Sequence, residues 1–169
     1  MGHDGIRFAT IDLERHADVC VVFRRDSFVV SFGDEQRFAE QCGADGSAYL
    51  SWIEESIATY PAGYVHLWQG DAIVGQIEMR IMPDGRGYVN LFYLAPAARG
   101  SGLGDVLHDY ATRLFAREGV TTAQLSVSPS NARALRYYEK HGWQDLGPSP
   151  RGPEVHLMRW TAPLSSARV

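Results

Sequence analysis

Apolar and polar positions alternate over Ile6–Thr10, which predicts a short strand. Asp12 then stands where an N-cap opens a helix, with Leu13, Ala17, Cys20 and Val21 on one face. Residues 26–46 carry no clear period. The run Gly43-Ala44-Asp45-Gly46 breaks the pattern, after which Tyr49, Leu50, Ile53, Ile57 and Tyr60 recur at helical spacing until Pro61 stops them. Three strand-like runs follow, at Tyr64–Gln69, Ala72–Met82 and Gly87–Ala95, with turn chemistry at Gln69-Gly70-Asp71 and Pro83-Asp84-Gly85 between them. They read as an antiparallel meander.

Beyond the meander the pattern changes to helix, strand, helix. Leu103, Val106, Leu107, Tyr110, Ala111, Leu114 and Phe115 form an apolar stripe ended by Gly119. Thr121–Val127 is β-branched and apolar enough for a buried strand, and Pro129-Ser130-Asn131 opens a second helix that Gly142 closes. Two last strands are expected at Trp143–Leu146 and Glu154–Trp160. No repeat or long linker divides the chain, so residues 1–169 read as one mixed α/β domain. Residues 1–60 supply a strand and helices, and residues 63–160 the larger part.

The size fits that reading. A chain of 169 residues with 45% apolar and 21% charged positions buries roughly two-thirds of its unfolded surface and needs no metal or disulfide staple. No run approaches the roughly 18 apolar residues of a membrane span, and Met1-Gly2-His3-Asp4-Gly5 lacks the basic flank and apolar run of a secretory signal. A cytoplasmic location is expected, and the two cysteines, Cys20 and Cys42, then read as reduced structural thiols. The six histidines show no metal-ligand spacing.

Net charge is −4, which argues against a nucleic-acid binder that works by neutralising phosphates. The charge is uneven. Residues 1–60 carry eleven acids against five arginines, whereas residues 95–140 carry six basic side chains against four acids. Either both stretches are ordinary solvated surface, or one meets an anion and the other a cation.

The stretch Leu94-Ala95-Pro96-Ala97-Ala98-Arg99-Gly100-Ser101-Gly102-Leu103-Gly104-Asp105 favours the anion. Glycines at alternate positions between a strand and a helix let backbone approach a ligand and expose successive N–H groups where the helix dipole is positive. Such a turn binds phosphate, with Arg99 at its lip. A Walker A loop is excluded because no lysine precedes Lys140. A dinucleotide fingerprint fails at Asp105, where it needs glycine.

The segment Arg99-Gly100-Ser101-Gly102-Leu103-Gly104 resembles motif A of the GCN5-related N-acetyltransferases, Arg/Gln-x-x-Gly-x-Gly/Ala. Downstream, Asn131-Ala132-Arg133-Ala134-Leu135-Arg136-Tyr137-Tyr138-Glu139-Lys140-His141-Gly142-Trp143 follows that family's Asn-x-x-Ala-x-x-x-Tyr-x-x-x-Gly-Phe, with Trp143 in place of Phe. The resemblance covers about residues 63–160. It implies a GNAT fold, in which acetyl-CoA lies where strands Gly87–Ala95 and Thr121–Val127 splay apart. It implies pyrophosphate on the amides of Gly100, Ser101, Gly102, Leu103 and Gly104 beside Arg99. It implies a pantetheine arm along the backbone of Phe92, Tyr93 and Leu94, one of whose amides polarises the thioester carbonyl. Asn131 suits a helix cap and, by resemblance, a cofactor contact.

By the same resemblance, Tyr138 is the general acid that protonates the departing thiolate. Tyr137 is adjacent, and one of the two must pack. Relatives that modify protein N-termini carry a glutamate five residues before the motif asparagine, and here Ser126 stands there. Glu78 is the leading substitute as general base, with facing solvent or pairing with Arg80 as its ordinary alternatives. His66 is the second candidate, against a plain sheet histidine. The implied activity is direct acetyl transfer from acetyl-CoA to an amine; a non-catalytic acyl-CoA-binding module is the rival. The resemblance admits a homodimer. The acceptor region it points to includes Phe23, Arg24, Asp26, Phe28, Phe32, Asp34, Tyr49 and Trp52, whose acids and rings suit a cationic amine.

Overall fold

The computed structural model describes residues 5–164. Its elements in order are β1 (Ile6–Thr10), α1 (Leu13–Phe32), α2 (Gln36–Cys42), α3 (Ser47–Thr59), β2 (Tyr64–Gln69), β3 (Ala72–Ile81), β4 (Gly87–Leu94), α4 (Leu103–Arg117), β5 (Thr122–Val127), α5 (Ala132–Lys140), β6 (Gln144–Ser149) and β7 (Gly152–Thr161). One sheet runs β1-β2-β3-β4-β5-β7-β6, antiparallel throughout except for the β4–β5 pair. The stretch without a period, residues 26–46, holds the last third of α1 and the short α2.

Local chemistry sets the boundaries. Asp12 caps α1 by accepting from the Glu14 amide at 3.1 Å, and Gly33, at φ 87°, stops the helix with its N–H on the Val29 carbonyl. His16 leaves helical geometry and kinks α1 after its first turn. On α4, Leu103, Leu107, Ala111, Leu114 and Phe115 are buried, each such apolar side chain contributing roughly 1.5–3 kcal/mol when fully removed from water.

Alternation along the strands then sorts side chains between two helical layers. Val65, Leu67, Ile77, Met79, Val89 and Leu125 point to the α4 side and form the main core. Tyr64 belongs to the other layer, with Cys20, Phe28, Phe38, Tyr49 and Ile53 of α1, α2 and α3. On that second face the buried positions His66, Gln76 and Glu78 are polar, so they must find partners among the helices.

Two irregularities create a cleft. β4 and β5 pair only at Gly87↔Ala123, Tyr88↔Gln124 and Val89↔Leu125, so the rest of β4 is unpaired on that edge. In the β3–β4 ladder Glu78 opposes Leu91 but Met79 opposes Val89, which leaves Asn90 as a bulge at the point of divergence.

Candidate active-site cleft

The divergence opens a cleft of about 640 Å³, reached by the end of β4, the glycine turn, the start of α5, the second half of α1 and the β6–β7 turn. Phe92, Tyr93 and Leu94 line it. They pair with Ile77, Gln76 and Gly75 on one edge only, so their other edge can accept an extended ligand as an added strand.

The glycine turn ends at the helix start. Gly100 and Gly102 adopt φ 76° and 84°, and Gly102 caps α4 without any side-chain hydrogen bond, leaving the first amides of α4 for an anion. Gly100, Gly102 and Gly104 line the cleft. The side chain of Ser101 turns back to donate to the Ala98 carbonyl, and Leu103 is buried in the core, so those two positions offer backbone alone. Arg99 lines the cleft, but its cation is partly committed: Nε donates to the Leu94 carbonyl at 3.0 Å and Nη2 to Asp26 at 2.9 Å. The Tyr93 hydroxyl donates to the same carboxylate at 2.5 Å; burial first, and this bond second, push the phenol well above its ordinary pKa. Asp26 is thus tied to Tyr93 and Arg99 at the glycine-turn end of the cleft.

The two adjacent tyrosines take different work. Tyr137 packs on Gly104, where a Cβ would stand 2.9 Å from its ring, and its hydroxyl donates to the Gly104 carbonyl at 2.6 Å. The third glycine of the turn therefore has a packing reason as well as a ligand one. Tyr138 sits between Phe92 and Trp143, lines the cleft, and its hydroxyl has no hydrogen-bond partner among the described residues. Burial pushes its phenol well up, keeping it a proton donor throughout the neutral range. Asn131 lines the cleft and also caps α5, its Oδ1 accepting from the Ala134 amide at 3.2 Å. Ser126 faces the cleft beside Tyr88, their hydroxyls 3.1 Å apart.

Neither candidate base lines the cleft. Glu78 is 0% exposed; it neither faces solvent nor pairs with Arg80. Its Oε1 accepts from Arg24 Nη1 at 3.3 Å, and its Oε2 accepts from the Tyr49 hydroxyl at 2.5 Å and from Gln76 Nε2 at 2.7 Å. Gln76 Oε1 lies 2.8 Å from His66 Nε2, which makes that nitrogen the donor, and Cys20 Sγ is 3.6 Å away on the same nitrogen. Burial lowers His66 to about 4 and raises the Cys20 thiol to about 12, so both are neutral at pH 7.

The network ends in the cleft through Arg24. Its Nη1 also donates to the Asn90 carbonyl at 3.2 Å, at the bulge, and Arg24 lines the cleft wall. Burial is the largest single influence and disfavours this guanidinium, but the Glu78 carboxylate together with Tyr49 and Cys42 outweighs it and raises the pKa. Of the residues expected in an acceptor region, Arg24, Phe28 and Phe32 line the cleft, whereas Phe23, Asp26, Asp34, Tyr49 and Trp52 do not. Asn90, Arg37 and Arg151 were not foreseen: a bulge and a turn that meets α2 leave no periodic signal.

The chain is similar in sequence and in fold to known proteins. The sequence profile of the acetyltransferase (GNAT) family matches residues 25–143. An aminoglycoside N(6')-acetyltransferase type 1 of Klebsiella pneumoniae is 36% identical over 115 residues, 66% of this chain and 55% of that protein. A mycothiol acetyltransferase of Geodermatophilus obscurus is 32% identical over 89 residues, 49% of this chain and 29% of that protein. The chain thus spans about half the length, or less, of these curated relatives. In fold, it superposes on the paia N-acetyltransferase of Thermoplasma acidophilum, solved with coenzyme A, with a TM-score of 0.75 at 16% identity, covering 93% of this chain and 99% of that one.

Proposed function

Because this chain belongs to the GNAT family of acetyltransferases, we propose that it is an acetyl-CoA-dependent N-acetyltransferase that moves the acetyl group directly to an amine. The observation that carries this reading is the free edge of Phe92–Leu94 running into the uncapped α4 start, a strand-like slot that ends at an anion site. Acetyl-CoA bound there supplies an activated acetyl thioester. The amides of Gly100–Gly104 and Arg99 hold the pyrophosphate, the backbone of β4 holds the extended arm, and an amide of Phe92–Leu94 polarises the carbonyl. The Tyr138 hydroxyl then donates its proton to the departing sulfur. In this reading Glu78 does not take the amine's proton itself; it holds Arg24, and the proton leaves through water in the cleft.

Tyr138→Phe is expected to lower kcat by on the order of 10–100-fold with little change in CoA affinity. Steady-state kinetics and calorimetry check this, and unchanged turnover at every pH would remove Tyr138 from the mechanism. A non-catalytic acyl-CoA-binding module is favoured by one observation, the absence of a cleft-facing carboxylate at Ser126 or Glu78. Equilibrium dialysis with acetyl-CoA beside a thiol-release assay on an amine panel separates the two, since binding without turnover would select the module.

The same reading includes a homodimer along β6, an edge strand whose Leu146 is exposed, and leaves out nucleic acid on the ground of net charge. A cytoplasmic setting goes with two buried free thiols, Cys20 and Cys42. No helix among the described residues is long and apolar enough to cross a membrane.

A further inference from the structure

The cleft has two chemically different ends. Arg99, Arg133 and Lys140 line the end at the glycine turn and α5, where the proposed cofactor phosphates belong. The opposite end is walled by α1, α2 and the β6–β7 turn, and it presents Arg37 and Arg151, with Arg24 on the α1 wall. Among the described residues, no acid of the first sixty, expected to meet a cationic amine, lines it. Asp26 is held by Tyr93 and Arg99, while Asp34 and Asp45 accept from backbone amides at the starts of α2 and α3.

One acid, Glu154, lines this end, and it pairs with Arg37 at 3.4 Å. Arg24 is balanced by Glu78. Arg151 forms no ion pair with another described residue, so three cations stand against two anions and the end is positive by about one charge. The Arg37 guanidinium lies over the Phe32 ring at 4.2 Å, with Nη2 toward Glu154 and its remaining N–H groups turned outward in the plane of the stack, where a planar anion can meet them. Phe28 and Phe32 add an apolar wall.

Resting on the acetyltransferase reading, we propose that the acceptor is an amine carrying its own carboxylate, of amino-acid type with an apolar side chain. Arg37 and Arg151 hold the carboxylate, and Phe28 and Phe32 take the apolar part. One unit of excess charge matches a monoanion. An aminoglycoside, the substrate class in the name of one relative, brings several amines, and its positive charges would meet like charge at this end.

The test uses the whole chain with acetyl-CoA and three acceptors: phenylalanine, phenylalanine amide and kanamycin. The amide has the more readily deprotonated amine, so a preference for the acid reports carboxylate recognition. The acid is expected to show kcat/KM at least about tenfold above the amide, the scale of one charge-assisted hydrogen bond. Arg37→Ala and Arg151→Ala should each abolish most of that preference by raising KM for the acid, with the CoA dissociation constant unaltered. A preference for the amide or for kanamycin, or a preference for the acid that survives both substitutions, overturns the proposal. Calorimetry of the same compounds on the CoA-loaded protein separates the two levels. Acid bound in preference to amide but never turned over supports this site and defeats the catalytic reading. Turnover of other amines with no binding of the acid defeats the site and leaves the catalytic reading standing.

Discussion

Glu78→Ala is expected to destabilise the protein by about 3–5 kcal/mol, the usual cost of stripping one partner from a buried ion pair. The carboxylate accepts from Arg24, Tyr49 and Gln76 while fully enclosed. Its removal leaves a largely buried guanidinium uncompensated and the Tyr49 hydroxyl without an acceptor, while Gln76 Nε2 keeps only the Tyr49 oxygen at 2.9 Å. Because Arg24 also holds the Asn90 carbonyl at the β4 bulge, the loss should loosen the strand that carries the proposed slot. Urea unfolding measures the stability. Glu78→Gln sharpens the comparison, since its carbonyl can still accept from Tyr49 while the charge facing Arg24 is gone. An anchor predicts that this variant is less stable yet keeps the shape of the kcat–pH profile. A general base predicts normal stability, a large fall in kcat and loss of the acidic limb of that profile.

Acidification from pH 7.5 to 4.5 should cost several kcal/mol of stability, and two histidines account for much of it. His66 and His108 are 1% and 6% exposed. Burial lowers His66 to about 4; it also lowers His108 to about 4, with the nearby His141 adding to the effect. In the unfolded chain both titrate near 6.5. Below that value the unfolded state takes up protons that the native state refuses, so stability complete above about pH 6.5 is lost progressively down to about pH 4. A gap of about 2.5 units corresponds to about 3 kcal/mol per histidine.

The structure gives each neutral ring a reason. His108 Nε2 accepts from Trp143 Nε1 at 3.0 Å, which a protonated ring could not do, and it stacks on His141 with centroids 4.2 Å apart. His66 sits in the closed network beside Gln76 and Cys20, with His16 facing it. Urea midpoints measured at half-unit intervals of pH, with NMR titration of the imidazoles, check the window. A midpoint that stays flat down to pH 5 would count against it.

Some of this was readable along the chain. The meander, the stripe of α4 and the turn around Gly100 and Gly102 follow from period and turn chemistry, which act between residues a few positions apart. The helix ends at Asp12, Gly33 and Asn131 obey the same local rules, but Gly33 lay in a stretch whose period was not visible. α1 there buries one residue in several and turns charged ones such as Arg24 inward, so no clean stripe survives. Glu78 and His66 could be picked out as unusual strand residues. That they share one enclosed network could not, because Arg24 and Glu78 lie 54 positions apart and Cys20 and His66 lie 46 apart.

The division has a physical basis. Backbone conformation responds to near neighbours, so the sequence by itself determined the order of the strands, the helices outside residues 26–46 and the glycine turn before α4. Charge and proton affinity respond to whatever packs alongside. Only the tertiary structure decided that the Tyr137 hydroxyl is held by the Gly104 carbonyl while that of Tyr138 has no partner among the described residues, and that Glu78 is an enclosed partner of Arg24. It also decided that no described acid of the first third lines a cleft whose far end is lined by arginines from distant elements.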